Sequence, residues 1–175
     1  MRCFRRLALP IAAAMLTSLP LVVAAQLVPG APPMDWSEAQ KEYRLNTLRE
    51  YNTLIGGWHA ALNAGNAVLA AAVYGDSAQL LLSGRDLVRG RDAIAALLGS
   101  FVPELEEIRT GVSDFLASDR LAYASGPMIL QLRDAGSSAA RSVRGQHVTV
   151  LVREGRRWRI HSQVLEFEPG GTTDQ

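Results

Sequence analysis

The chain has 175 residues, a formal net charge of +1 and a hydrophobic content of 48%. Such a composition supports a packed core and excludes a long disordered chain. A single cysteine, Cys3, excludes a fold held together by disulfide bonds.

The first 25 residues have the pattern of a secretory signal. Three arginines within residues 2–6 precede an apolar run, and Ala24 and Ala25 supply small residues at the expected cleavage point. We expect residues 1–25 to be removed and the protein to be periplasmic or secreted; a retained membrane anchor is the alternative. Removal makes the net charge −2 and takes away the cysteine. We therefore expect no nucleic-acid partner, and no membrane contact once the signal is gone.

A proline-rich linker follows at residues 26–34. The folded domain is predicted over residues 35–168, with a flexible tail at residues 169–175. Asp35 with Glu38 three residues later resembles a capping box, which predicts that the first helix begins there.

Three helices are predicted ahead of the main sheet. The first carries large side chains at alternating spacings of three and four, which indicates one buried stripe: Leu48, Tyr51, Ile55, Trp58 and Leu62. Two adjacent glycines, Gly56 and Gly57, predict a weak or bent point in this helix. The remaining predictions are a short helix over 67–74, a short strand over 77–84 and a third helix over 90–102.

After the third helix the hydrophobic period changes from helical to alternating. Four strands are predicted, over residues 110–117, 120–132, 144–154 and 156–168. The acidic stretch 104–107 is predicted to be a solvated loop. Helices first and an antiparallel meander after them indicate an α+β fold in which the sheet buries one face against the helices.

Burial suggests a register for the last hairpin. A three-residue loop over 153–155 gives Gly155 a left-handed conformation. This loop pairs Val150 with Trp158, so that the valines and Trp158 share one face. The other face then carries His147, Thr149, Leu151, Arg159, His161, Gln163 and Leu165. In that register His147 and His161 lie opposite each other. The arginines around Trp158 are predicted to form a solvated edge.

Three interpretations of the two histidines remain open. They can form a polar pair on a wet sheet face, or they can line a ligand pocket in which His147, His161 and Gln163 orient a ligand. A zinc site is the third, but zinc needs three protein ligands and nothing in the sequence places His59 beside the other two. We expect no metal and no cofactor.

The order of the elements resembles the nuclear-transport-factor-2-like superfamily, in particular its SnoaL-like and ketosteroid-isomerase-like branch of exported proteins. The resemblance covers about residues 53–168. Its matched features are Trp58, "AGN", "YGD", "GRDAI", "LAY" with Gly126, and "WRI". It implies a cone-shaped, curved antiparallel sheet wrapped around N-terminal helices, with a pocket at the open end. It also implies a homodimer.

The resemblance implies a pocket between the first helix and the sheet. The candidate lining residues are Trp58, Tyr74, Met128, His147, Thr149, His161 and Gln163. Trp58, Tyr74 and Met128 can equally be core residues. In the ketosteroid isomerases a helix tyrosine and a strand aspartate do the chemistry, and those positions fall near Gly56 and Leu82 here.

The function expected from these features is binding of a small apolar molecule by an exported protein. The protein can also be a cofactor-independent isomerase, hydratase or hydrolase of unknown substrate. The alternative is a non-catalytic oligomerisation or protein-interaction module. The sequence contains no phosphate-loop, dinucleotide or nucleophile-elbow motif, which argues against nucleotide-dependent and serine-hydrolase chemistry.

Overall fold

The structure is a computed structural model that describes residues 36–133 and 140–168. These residues belong to one structural unit that begins at Trp36. The predicted signal, linker and tail, at 1–25, 26–34 and 169–175, lie outside the described residues. In the described part, no helix combines the length and the hydropathy needed to cross a membrane.

Helix α1 spans Glu38–Asn63 and begins later than predicted. Its cap is Ser37, not Asp35, because the Ser37 hydroxyl accepts from the Gln40 amide while the Gln40 side chain accepts from the Ser37 amide. This reciprocal pair satisfies two of the main-chain donors that a helix start leaves free. The helix continues through Gly56 and Gly57, so these glycines do not break it.

The predicted apolar stripe of α1 is confirmed. Tyr51, Ile55, Trp58 and Leu62 are buried, and Leu48 packs against the same core at partial exposure. Because residues three and four apart share one face of a helix, this stripe fixes which side of α1 faces the sheet.

The elements between α1 and the main sheet are short. They are helix α2 (Ala67–Ala71), strand β1 (Tyr74–Leu82), strand β2 (Val88–Arg89), helix α3 (Arg91–Phe101) and a 3₁₀ turn (Val102–Glu104). Asn66 caps α2 through its side-chain oxygen, which accepts from the Leu69 amide. The third helix is confirmed; the second ends earlier than predicted, because the chain enters β1 at Tyr74.

The remaining strands complete a seven-stranded sheet. They are β3 (Leu105–Thr110), β4 (Asp114–Ser118), β5 (Leu121–Arg133), β6 (Ala140–Glu154) and β7 (Arg157–Phe167). The sheet order is β2-β1-β7-β6-β5-β3, with β4 also on β5, and β1 with β7 is the one parallel pair among the described strands. The predicted α+β class, a curved and unclosed sheet around N-terminal helices, is confirmed.

Strand β3 occupies the stretch predicted to be a loop. Its inward residues, Leu105 and Ile108, are three apart because the pairing with β5 contains an irregularity after Leu105. The alternation that marks a strand in sequence is therefore missing here. The charged residues between them belong to a sheet edge, where charge discourages further strand pairing.

Strands β3 and β4 bend along one edge of β5, and Gly126 makes the bend possible. A side chain at Gly126 would place its Cβ 2.4 Å from the Gly111 carbonyl oxygen. Main-chain bonds from Gly111 to Pro127 and from Ser113 to Ser125, both 2.8 Å, hold the bend against β5.

The predicted register of the last hairpin is wrong. Arg153 pairs with Trp158, and the turn consists of Gly155 and Arg156. Gly155 has a φ of 61°, which suits the first central position of a two-residue hairpin turn.

A bulge in β7 then resets the phase of the hairpin. Leu151 pairs with Ile160 but Val150 pairs with Ser162, so His161 is the extra residue. His147 lies opposite Leu165, and the predicted His147–His161 pair does not form. Because of the bulge, both Ile160 and Gln163 are buried although they are three residues apart.

We predict that Gly126→Ala destabilises the protein by about 1–3 kcal/mol, the usual cost of forcing an atom into packed structure. The neighbours it meets are main-chain atoms, which cannot rotate away. Chemical denaturation measures the effect. The control is Gly57→Ala, whose Cβ meets nothing within 4 Å and which should stabilise α1 slightly. A Gly126→Ala protein as stable as the parent would contradict the proposed close approach.

Candidate functional site

Six of the seven predicted pocket residues are almost completely buried: Trp58, Tyr74, Met128, His147, Thr149 and Gln163. The seventh, His161, is half-buried at the bulge of β7. The side chains of α1 and the inward faces of β6 and β7 therefore meet in the interior, where polar and apolar groups are mixed.

A chain of hydrogen bonds crosses this interior. The Tyr74 hydroxyl bonds to Gln163 Oε1, and Gln163 Nε2 donates to Thr149 Oγ1 at 3.1 Å. Thr149 Oγ1 lies 3.3 Å from His147 Nδ1, and His147 Nε2 lies 2.8 Å from the Gly111 carbonyl oxygen. These four side chains, with Tyr51 and Trp58 of α1, are called the interior polar cluster below.

The Gly111 carbonyl at one end determines which atom donates in each of these hydrogen bonds. A carbonyl oxygen only accepts, so the proton of neutral His147 is on Nε2 and its Nδ1 is bare. Nδ1 then accepts from the Thr149 hydroxyl, which in turn accepts from Gln163. Each group donates once along the chain, from Tyr74 at one end to Gly111 at the other.

The environment keeps His147 neutral. Burial lowers the pKa of His147, and its bond to the Gly111 carbonyl opposes this only in part. The hydrogen-bond directions act in the same sense. A proton added at Nδ1 would point at a Thr149 oxygen that already accepts from Gln163, and the Thr149 proton would lose its acceptor.

A second histidine lies near the cluster. His59 Nε2 is 3.2 Å from the Thr110 hydroxyl, and the His59 ring stacks obliquely on Trp58 with 5.5 Å between centroids. Burial lowers the pKa of His59, and the positive charge that His147 would carry lowers it further. The sequence carries no signal for the position of His59. Its contact with Thr110 and the influence of His147 on it depend on the bend between β3 and β4.

Two buried donors in the cluster have no hydrogen bond. They are the Tyr51 hydroxyl and the indole Nε1 of Trp58. Thr149 lies near the Tyr51 hydroxyl and Tyr74 lies near the Trp58 indole, and weak hydrogen bonding in each pair lowers the pKa of the tyrosine slightly. Neither contact has the distance and alignment of a full hydrogen bond, so both donors lack a proper acceptor. An orphaned buried donor carries a desolvation penalty, so both sites favour an added acceptor.

Both tyrosines of the cluster stay protonated. Burial raises the pKa of Tyr51 to about 12, and the neighbouring Thr149 hydroxyl reduces the rise. Burial also raises the pKa of Tyr74, against a smaller opposite effect of Trp58. At neutral pH the two hydroxyls are therefore donors. Sequence analysis placed Tyr51 in the buried stripe of α1 and gave it no site role.

The polar lining carries no charge. In the described part of the chain the buried polar or charged residues are Thr47, His147, Thr149 and Gln163. Over residues 36–133 and 140–168, no group of three or more His, Cys, Asp and Glu residues is placed to hold a metal ion.

Apolar residues fill the interior next to the cluster. Leu82, Met128 and Leu151 are all buried. Near Leu82, a cavity of about 100 Å³ lies between Phe101, Leu130 and Phe167. That volume is below the range of about 300–1,000 Å³ that is usual for drug-sized ligands.

Comparison with known proteins identifies the fold. No family model and no curated protein matches the chain. Among solved structures, a putative scytalone dehydratase from Novosphingobium aromaticivorans superposes with a TM-score of 0.65 at 16% identity, covering 77% of this chain and 91% of that one. An NTF2-like protein with a cystatin-like fold from the same species gives 0.57 at 17% identity, covering 79% and 94%.

A ketosteroid isomerase-like protein from Erwinia carotovora atroseptica gives a TM-score of 0.60 at 14% identity, covering 66% of this chain and 92% of that one. The chain has the nuclear-transport-factor-2-like fold. The fold implied by the sequence resemblance is thus confirmed. Sequence identities of 14–17% show the fold alone, so the chemistry has to be inferred from the residues of the site.

We predict that the protein loses stability as pH falls. The pKa values of His59 and His147 are lowered from 6.5 in the folded state, so between those lowered values and 6.5 the unfolded chain binds more protons. The free energy of unfolding is therefore largest above 6.5 and declines as pH falls through it. Denaturation at a series of pH values measures this decline.

His147→Gln is the matched variant for this prediction. A glutamine amide keeps a donor for the Gly111 carbonyl but does not titrate. The variant should lose part of the pH dependence between about pH 7 and about pH 5, the range in which histidine titrates. A slope identical to that of the parent protein would show that His147 does not contribute.

Proposed function

We propose that the protein binds a small, uncharged, mainly apolar molecule in its interior, between α1 and the sheet, and that Leu82, Met128 and Leu151, which fill this interior, move to admit it. The observation that carries the proposal is the pair of buried donors without partners, Tyr51 Oη and Trp58 Nε1. A carbonyl or hydroxyl oxygen on the ligand would accept from them. The ligand should be uncharged, because the described lining offers no counter-charge and burying an unpaired ion is costly.

The enzymatic form of the proposal is a cofactor-independent isomerase, hydratase or hydrolase. Tyr51 is a protonated donor without a partner, and it could stabilise an oxyanion that develops on a bound substrate. His147 is held neutral with its Nδ1 towards Thr149, so it orients the cluster and does not act as the base. The fold of a putative scytalone dehydratase is compatible with it.

Tyr51→Phe tests the binding role most sharply. Its hydroxyl has no hydrogen bond, so its removal should leave the stability unchanged or slightly raised. Ligand binding should weaken by about threefold to tenfold, the equivalent of one hydrogen bond. Native mass spectrometry of the full-length gene product measures retention of the co-purified ligand. The same spectrum shows whether residues 1–25 have been removed, as we propose for an exported protein.

Two variants and two probes serve as controls. Tyr74→Phe should lower the stability by about 1 kcal/mol, because it removes the donor to Gln163. His161→Ala should change neither stability nor retention, because His161 lies outside the interior polar cluster. In saturation-transfer NMR, 2-tetralone should bind and the carboxylate 2-naphthoate should not. The proposal would be contradicted if Tyr51→Phe retained as much ligand as the parent protein, or if the protein bound 2-naphthoate in preference to 2-tetralone.

Self-association is the second proposal, and a different face of the sheet favours it. On the outer face Leu81 pairs with Val164, and Val164 pairs with Val148. Leu81 and Val148 are among the exposed large hydrophobic residues, together with Ile129 of β5. Exposed apolar residues on one sheet face are typical of an interface, and we propose that a second copy of the chain covers the face around Leu81, Val164 and Val148 to form a homodimer.

Val148→Lys should dissociate this dimer. A lysine at the centre of the face would bury an unpaired charge, which an interface core does not tolerate. Sedimentation velocity measures the mass, and Val112→Lys is the control, since Val112 is exposed outside the strands of the sheet. A parent protein that is monomeric at all concentrations would remove the self-association proposal without affecting the ligand proposal.

A further inference from the structure

A groove of about 380 Å³ lies outside the cone, between α1 and the start of β7. Leu54 of α1 and Val73, at the entry to β1, contribute its apolar part. Arg156, Arg157 and Arg159 surround it, and Trp158 lies between them. Neither the interior polar cluster nor the outer sheet face includes these residues.

The main chain of Trp158 forms an open strand edge in this groove. The Arg153 amide donates to Arg120 on the β5 side, so Arg153 and Trp158 form a pair without mutual hydrogen bonds. The N–H and C=O of Trp158 therefore point away from β6. Two residues further along β7, the main chain of Ile160 points to the same side and its amide donates to the Val73 carbonyl at 3.0 Å. Pairing of β7 with β1 begins at Ile160. Among the described residues no strand pairs with Trp158 on that side.

The charge of the groove is positive. Three guanidinium groups, from Arg156, Arg157 and Arg159, face one carboxylate, from Glu50. The Glu50 carboxylate accepts from Trp158 Nε1 at 2.7 Å, and Arg159 donates to the Ala72 carbonyl at 2.6 Å. Arg156 and Arg157 are exposed at the hairpin turn. An acidic partner would thus meet two exposed arginines and a third that is already fixed.

The floor of the groove is held in place before anything binds. The Trp158 ring is 6% exposed, is fixed through Nε1 by Glu50, and lies under the Arg153 guanidinium at 5.5 Å. Because the Trp158 side chain is already ordered, little side-chain entropy is lost at this site when a segment binds.

We propose that this groove binds an extended acidic peptide segment of a partner protein, which adds as a short strand to the free edge at Trp158. Strand addition uses both the donor and the acceptor that Trp158 presents, and alternate side chains of the segment reach the pocket. Acidic side chains on the segment pair with Arg156 and Arg157. A small anion would use the donors alone and would lie against the Trp158 carbonyl oxygen, so the geometry favours a peptide.

Fluorescence anisotropy with a labelled peptide of alternating glutamate and valine tests the proposal. The parent protein should bind this peptide and should not bind the copy that has lysine in place of glutamate. Arg156→Glu with Arg157→Glu should weaken binding at least about tenfold, because two attractive charges become repulsive. The control is Arg85→Glu, a charge reversal at an exposed position elsewhere. It should leave the affinity nearly unchanged.

A main-chain N-methylated copy of the peptide separates strand addition from simple charge attraction. It keeps every side chain but cannot donate to the Trp158 carbonyl, so it should also bind at least about tenfold more weakly. The proposal would be overturned if the methylated copy bound as tightly as the parent peptide, or if free glutamate at equal charge displaced the peptide. It would also be overturned if Arg85→Glu weakened peptide binding as much as Arg156→Glu with Arg157→Glu does, or if the parent protein did not bind the peptide. Tyr51→Phe should bind the peptide normally, since the interior site is separate.

Discussion

The hydroxyl of Thr149 is the point on which the interior depends. It accepts from Gln163 and donates to His147, so it connects the Tyr74 side of the interior to the Gly111 carbonyl. Buried polar groups are usually hydrogen-bonded, because an unpaired one carries a desolvation penalty. The network therefore fixes the His147 tautomer and the Gln163 amide together. The donors that stay unpaired are on α1, facing that network, which is why we propose a ligand as their acceptor.

Two main-chain features bring these groups together. The bulge at His161 turns Gln163 inward, beside Thr149, and the missing side chain at Gly126 lets Gly111 approach His147. The bulge moves Gln163 by one strand position, and a shift of one position is the difference between the interior and solvent. Gly126 acts differently, because the absence of its side chain leaves room for the Gly111 main chain.

The sequence predicted the helices and the long strands because their periods are clear. The stripe from Tyr51 to Leu62 specifies the buried side of α1, and the alternation from Leu121 onward specifies β5. It also predicted that His147, Thr149 and Gln163 share a face, which they do. It did not predict β3, whose inward residues are three apart, or the bulge that separates His161 from His147. Register irregularities of this kind depend on contacts with other strands, and a single strand carries no signal for them.

Over the described residues, the interior of this protein lacks the tyrosine and the aspartate that the ketosteroid isomerases use. The sequence resemblance places the isomerase tyrosine and aspartate near Gly56 and Leu82, and the buried donors without partners here are Tyr51 and Trp58 instead. The central claim is that the cluster holds His147 neutral with its proton on Nε2. Long-range ¹⁵N–¹H NMR of the histidine rings tests it directly. We expect His147 to be an Nε2–H tautomer at neutral pH and to remain predominantly uncharged at pH 6.5, where an ordinary histidine is half protonated. A protonated His147 at that pH, or a proton on Nδ1, would contradict it.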